Sequence, residues 1–286
     1  MIRIAHVVHP GVFAAASDLG RAQPITFATM EAARAFVKDT LVVQPYAVLF
    51  EDESRMALPA SFVRIPELAR SIADLKSFRR RRKLALLKDI LAAVDRHSDA
   101  EYFIYSNIDI ALQPFFYWTV SQLIEQGWEA LVINRRTIPD TYNDVRDIPL
   151  MYAEIGLPHK GYDCFIFKRE FFQRFKLGDI HVGSAGIGRA LLANLVAYGG
   201  KFREIRDAHL TFHIGDSMSW RQDEYHDYFQ ENWNEYLALF KQIEAERGEF
   251  DPLLRSYLLD MGEKRFIPDF SSRFIANGFC LPQPRP

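Results

Sequence analysis

Cysteine is nearly missing from this sequence: Cys164 and Cys280 are the only two among 286 residues. Neither stands in a CxxC or other zinc-ligand spacing, so a disulfide scaffold and a structural zinc site are excluded, and the usage fits a reducing compartment. An excess of one charge is missing too. Lys and Arg number 35 against 37 Asp and Glu, a net charge of −2, which gives no surplus positive charge for nucleic acid. No apolar run approaches the ~20 residues of a membrane-spanning helix. Internal repeats, low-complexity blocks and Gly/Ser linkers are absent, as are the GxSxG elbow, HExxH and kinase-type motifs. The run Gly183-Ser184-Ala185-Gly186-Ile187-Gly188 lacks the Gly-Lys-[Ser/Thr] ending of a phosphate loop and the spacing of a dinucleotide fingerprint; a tight helix entry lining an acceptor pocket is expected instead. Residues 1–16 carry Arg3, but His6, His9 and Pro10 interrupt the apolar core a signal peptide needs. A cytoplasmic protein is expected, with peripheral membrane contact as the variant.

What is present describes a folded domain. Hydrophobic residues make up 49% and charged residues 25%, the balance of an ordinary globular chain. Without a linker, 286 residues read as one domain over 1–280 with a tail at 281–286. Apolar runs predict strands at 2–8, 41–50, 101–105, 128–133, 163–167, 202–205 and 210–213. Helical spacing predicts helices at 24–37, 66–72, 79–94, 115–125, 183–198 and 220–245. Strand and helix alternate through 1–135, which implies a Rossmann-like nucleotide-binding half. Residues 136–220 form a donor and acceptor half, and 220–280 a helical extension. The expected fold class is α/β, a mixed, mostly parallel sheet flanked by helices. Tyr225, Phe229, Trp233, Tyr236, Leu237 and Phe240 make an aromatic stripe on the last helix, read as core, with a homodimer or membrane contact as the alternative.

Three segments carry chemistry. In the first, Tyr102 to Tyr105 bury a strand, and Asn107 and Asp109 follow at its carboxyl end, where open α/β sheets place ligands. Two apart in extended chain, they project to one side about 6–7 Å apart. Oxygen ligands of this kind suit magnesium or manganese; the plainer reading is a turn before Pro114. In the second, a polar loop from His159 carries Asp163 into an apolar strand. In the third, His209 and His213 flank Leu-Thr-Phe, and a strand there separates them by about 13 Å, too far to share one ion. The basic run Arg79-Arg80-Arg81-Arg82-Lys83 opens the predicted 79–94 helix, where its side chains point in several directions.

Together these segments resemble the GT-A-type nucleotide-diphospho-sugar glycosyltransferases. Those enzymes typically end a central strand in Asp-x-Asp; this chain has Asn107-Ile108-Asp109. The late His213-Ile214-Gly215 is similar to their His-x-Gly segment. The resemblance implies a divalent manganese or magnesium ion on Asp109 and His213, with Asn107 beside it. It implies a nucleotide and diphosphate set of His9, Arg79, Lys83, Asn107 and Gly215, and a donor-sugar pair of Asp89 and Asp163. Asp163 is the implied catalytic residue, orienting the sugar or taking the acceptor proton. On this reading aspartate in place of Asn107 preserves or strengthens metal affinity. The implied partners are a UDP- or GDP-sugar and a glycan, lipid-linked or small-molecule acceptor. A nucleotidyltransferase on a related sheet and a catalytically silent nucleotide-sugar-binding protein are the alternatives; the first expects a glycine-rich basic loop after strand one, which His9-Pro10-Gly11-Val12 does not supply.

Overall fold

The computed structural model describes residues 1–206, 208–216, 223–260 and 266–268. The expected helix start at 220, Cys280 and the tail at 281–286 lie outside them. The chain opens with β1 (Arg3–Val8), α1 (Asp18–Phe36), β2 (Val42–Phe50) and β3 (Val63–Leu68), followed by the short α2 (Ile72–Leu75) and α3 (Leu87–His97). Next come β4 (Tyr102–Ser106), β5 (Ala111–Leu112), α4 (Phe116–Glu125), β6 (Ala130–Ile138), α5 (Ile148–Ala153) and β7 (Leu157–Lys168). The last elements are α6 (Ile187–Tyr198), β8 (Phe202–Ile205), β9 (Thr211–Ile214), α7 (His226–Arg247) and α8 (Pro252–Leu259).

The strands form one sheet in the order β3-β2-β1-β4-β7-β6-β9-β5, with β8 also pairing with β6. β1 pairs in parallel with both β2 and β4, whereas β7 runs antiparallel between β4 and β6. β9 is parallel to β6 and follows it along Arg136 to Ile138. This is the mixed, mostly parallel sheet that the sequence predicts. β1 shows why the sheet is central: Ala5 and Val7 face the cluster under α3 and α6, while Ile4 and Val8 face the one under α1 and α4. Strands covered on both faces read as near-continuous apolar runs. Phe103 of β4 is fully buried in the first cluster, and truncating such a phenylalanine costs about 3–5 kcal/mol.

Several boundaries differ from those expected, each for a local reason. α1 begins at Asp18 because Ser17 caps it, its side chain accepting from the Gly20 amide. Residues 66–72 are not a helix: Pro66 lies in β3, the outer strand of the sheet, where a missing N–H leaves no ladder bond unmade. The basic run does not open a helix either. Five successive cations at the positive end of a helix dipole repel it and one another, and α3 starts only at Leu87. Residues 79–83 instead form a strap held against α7: the Arg79 amide donates to Asp227, the Arg82 amide to the Tyr228 hydroxyl, and Arg80 pairs with Glu224. Residues 183–186 are a turn, with Gly186 in the left-handed region (φ 110°) immediately before α6. The stripe on α7 is turned from the expected phase. Tyr228, Asn232, Tyr236, Leu239, Phe240 and Ile243 are its buried residues, and Tyr225, Phe229, Trp233 and Leu237 are only half-buried. No helix among the described residues is long and apolar enough to cross a membrane.

Candidate active site

The carboxyl ends of β1, β4, β6 and β9 reach one edge of the sheet, and the first half of β7 returns along it. A cavity of about 890 Å³ opens there. It is lined from β1 and β2 by His9 and Phe50, from the β4 end by Asn107 and Asp109, from β7 by Lys160 and Asp163, and from β9 by His213.

Asp109 and His213, 104 residues apart, meet at this edge: His213 Nε2 lies 3.2 Å from Asp109 Oδ2. The other ring nitrogen, Nδ1, donates to the Gly215 carbonyl at 2.7 Å. With its Nδ1 proton so committed, a neutral imidazole presents the Nε2 lone pair to a carboxylate oxygen, and only a proton or a metal cation between them makes that contact favourable. Burial alone would raise the Asp109 carboxyl, but the His213 hydrogen bond and charge, with Arg135, hold it below its ordinary value. Burial alone would lower His213, yet the Asp109 bond raises it. Asp109 Oδ1 is buried without a hydrogen-bond partner. An ion bonding at ~2.0–2.2 Å can lie closer to such an oxygen than a water can, so the pair fits a divalent cation. No third His, Cys, Asp or Glu joins the pair among the described residues. Gly215 itself adopts φ 68°, and a Cβ there would lie 3.0 Å from Asp140 Cβ; the residue acts on the site through its carbonyl.

Asn107 and Asp163 form the second constellation. The Asn107 amide donates to Asp163 Oδ1 at 3.1 Å, and Arg135 Nη1 pairs with Asp163 Oδ2 at 2.8 Å. Asn107 is thus a donor to a carboxylate. An aspartate there would set two carboxylates about 3 Å apart, a repulsive arrangement without a cation, so any added metal affinity comes at a cost to the metal-free protein. Arg135 also reaches Asp216 at 3.4 Å. The strand expected at 128–133 ends short of Arg135, which lies within β6 (Ala130–Ile138). The signal was present, since Asn134-Arg135-Arg136 follows an apolar run just as Asn107 and Asp109 do.

Of the remaining expected residues, His9 and Lys83 line the cavity. His9 Nδ1 donates to the Val48 carbonyl at 2.8 Å, its ring meets Phe50 edge-on, and burial lowers its pKa. Lys83 pairs with Asp52 and lies 4.1 Å above the Phe50 ring. Arg79 and Asp89 are not part of the cavity wall. Arg79 was placed by a helix that does not form. Asp89, in the first turn of α3, pairs with Arg70 at 2.9 Å. His209 also stays off the wall and receives a hydrogen bond from Gln113.

No protein-family model matches the chain, and no curated protein matches it. Solved structures align with it at low identity and with TM-scores under 0.5. One is Staphylococcus aureus TarS 1–349 in complex with UDP-GlcNAc, with 10% identity over 90% of this chain and 73% of that one and a TM-score of 0.46. Another is glucosyl-3-phosphoglycerate synthase from Mycobacterium tuberculosis in complex with Mg²⁺ and UDP, with 12% identity over 88% and 82% and a TM-score of 0.42.

Proposed function

We propose that the chain is a metal-dependent glycosyltransferase of GT-A type, moving a sugar from a nucleoside-diphosphate sugar to an acceptor hydroxyl. The observation that carries this reading is the Asp109–His213 pair, with its orphaned carboxylate oxygen at the ligand edge of the sheet. A divalent ion held there offsets the charge that develops on a departing nucleoside diphosphate. The mixed oxygen and imidazole donor set suits manganese, with phosphate and water oxygens completing its shell.

The chain's own groups divide the remaining work. Lys83 supplies a fixed positive charge on the cavity wall for the diphosphate. His9, Phe13 and Phe50 give the β1–β2 side an apolar, aromatic slot for a base. Asp163 receives hydrogen bonds on both oxygens, yet a carboxylate has about four lone-pair sites. It therefore keeps capacity to accept from a sugar hydroxyl and acts by orienting the donor sugar, with Arg135 holding its rotamer. UDP and GDP, each titrated calorimetrically with and without manganese, test the reading. Manganese-dependent binding of either supports it, and no binding of either overturns it.

A further inference from the structure

The order of strands places the base slot (β1, β2) and the β7 wall on opposite sides of β4. Along the β7 wall stands the turn at residues 183–186, which leads into α6. A Cβ on Gly183 would lie 3.0 Å from Leu84 of the strap, and one on Gly188 would lie 3.0 Å from the Tyr162 ring. The entry of α6 is therefore wedged between the strap carrying Arg82 and the strand carrying Lys160. Both cations line the cavity, as does Arg189 in the first turn of α6.

None of these three positive charges forms an ion pair among the described residues, though Glu224 feels the Arg82 charge. Lys160 forms no ion pair among the described residues, and Arg82 lies over the Tyr225 ring at 4.3 Å. Arg189 spends its donors on the carbonyls of Tyr257 and Asp260. Two polar atoms on the same wall, Arg82 Nη1 and Ser184 Oγ, are buried with no hydrogen-bond partner, and such groups are costly unless a ligand completes them. No side chain caps α6. Lys83, beside Arg82 in the chain, turns its side chain the other way, to Asp52 and the Phe50 ring on the β2 side.

We infer that this wall, centred on Arg82, Lys160 and the entry of α6, binds an acceptor that carries an oxyanion, a phosphate or carboxylate, beside the hydroxyl that is glycosylated. The inference rests on the transferase reading for the word acceptor, and on the wall alone for the anion. Charge-assisted hydrogen bonds from an arginine and a lysine select a charged acceptor over a neutral one of the same skeleton.

Glycerol, glycerol 3-phosphate and glycerate share a skeleton and differ in the charged group. Each is titrated calorimetrically into the full chain, first alone and then with manganese and UDP or GDP at saturation. One or both anions should bind in the presence of the nucleotide, glycerol should not bind at the same concentrations, and the ranking of the two anions identifies the oxyanion. Lys160→Ala and Arg82→Met should each weaken the anion about tenfold, the loss of one charge-assisted bond, with nucleotide affinity kept. Methionine retains packing on Tyr225, and a thermal melt of each variant verifies its fold. Equal binding of glycerol overturns the inference. So does anion binding that disappears when nucleotide saturates the protein, since the anion then occupied the diphosphate position. Anion binding that neither variant weakens is an adventitious ion only. Should no nucleotide bind while an anion binds through Lys160 and Arg82, the wall stands and the transferase reading falls.

Discussion

Arg135 of β6 and Asp163 of β7 are joined across two neighbouring strands by a 2.8 Å ion pair, with both side chains largely withdrawn from water (12% and 16% exposed). Their strands run antiparallel with register shifts on either side of Asn134. Those irregularities re-aim the end of β6, as bulges next to ligand sites commonly do. Asp163 is thereby fixed between Arg135 and Asn107 on the cavity wall.

Asp163→Asn should lower turnover by on the order of a hundredfold, because a misplaced orienting group affects the transition state more than the bound substrate. Nucleotide affinity should stay within a few-fold. Steady-state kinetics beside calorimetry measures both, and an unchanged turnover would return Asp163 to a structural role. Arg135→Met, which strands the carboxylate, should also destabilise the fold by about 3 kcal/mol in urea denaturation.

For the proposed metal pair, Asp109→Ala and His213→Ala should each abolish the manganese dependence of nucleotide binding while the protein remains folded. Calorimetry with and without the ion reads this directly. His209→Ala should leave it intact.

Gly215→Ala tests the arrangement without removing a ligand. The left-handed backbone and the close Asp140 contact should make the substitution cost about 1–3 kcal/mol. Displacing the carbonyl that receives the His213 Nδ1 proton should weaken manganese about tenfold. Manganese affinity equal to the parent's would show that Gly215 only turns the chain.

Asn107→Asp should lower the melting temperature without metal, since two carboxylates then face each other. Manganese should recover more of that stability in the variant than in the parent. Thermal melts with and without the ion decide between this and a uniform loss.

Two buried histidines each give stability a component that depends on pH. His6 donates and accepts between Tyr117 and Ser106 at 2.7 and 2.8 Å, and burial pushes it down to about 3. Burial likewise pushes His181 down to about 4. Each has a folded value below its unfolded value of ~6.5, so the unfolded chain takes up the proton first. Their contribution is complete above ~6.5 and is lost as pH falls, by about 1.4 kcal/mol per unit for each. Urea denaturation at pH 7 and pH 5 should show roughly 2 kcal/mol of loss per histidine, and His6→Gln should remove its share.

Local sequence suffices for the class of fold and for the sheet edge at which Asn107 and Asp109 stand. Near-continuous apolar runs such as Phe103-Ile104-Tyr105 and Phe165-Ile166-Phe167 define buried strands through solvent exclusion alone. The polar residues that end them, Asn107 and Asp109, then mark the ligand edge, because polar groups tolerate only the rim of such a core. Helix starts are less legible: α1 opens at the Ser17 cap rather than at residue 24, and no helix forms over the mutually repelling cations of residues 79–83. Tertiary structure alone decided which distant groups meet. The antiparallel pairing of β5 with β9 brings His213 to Asp109, and the antiparallel pairing of β7 with β4 and β6 sets Asp163 between Asn107 and Arg135. The strap bound to α7 carries Lys83 to the cavity and leaves Arg79 outside it. Such pairings depend on the order and register of strands, and these are fixed by packing the whole sheet at once rather than by any stretch of neighbouring residues.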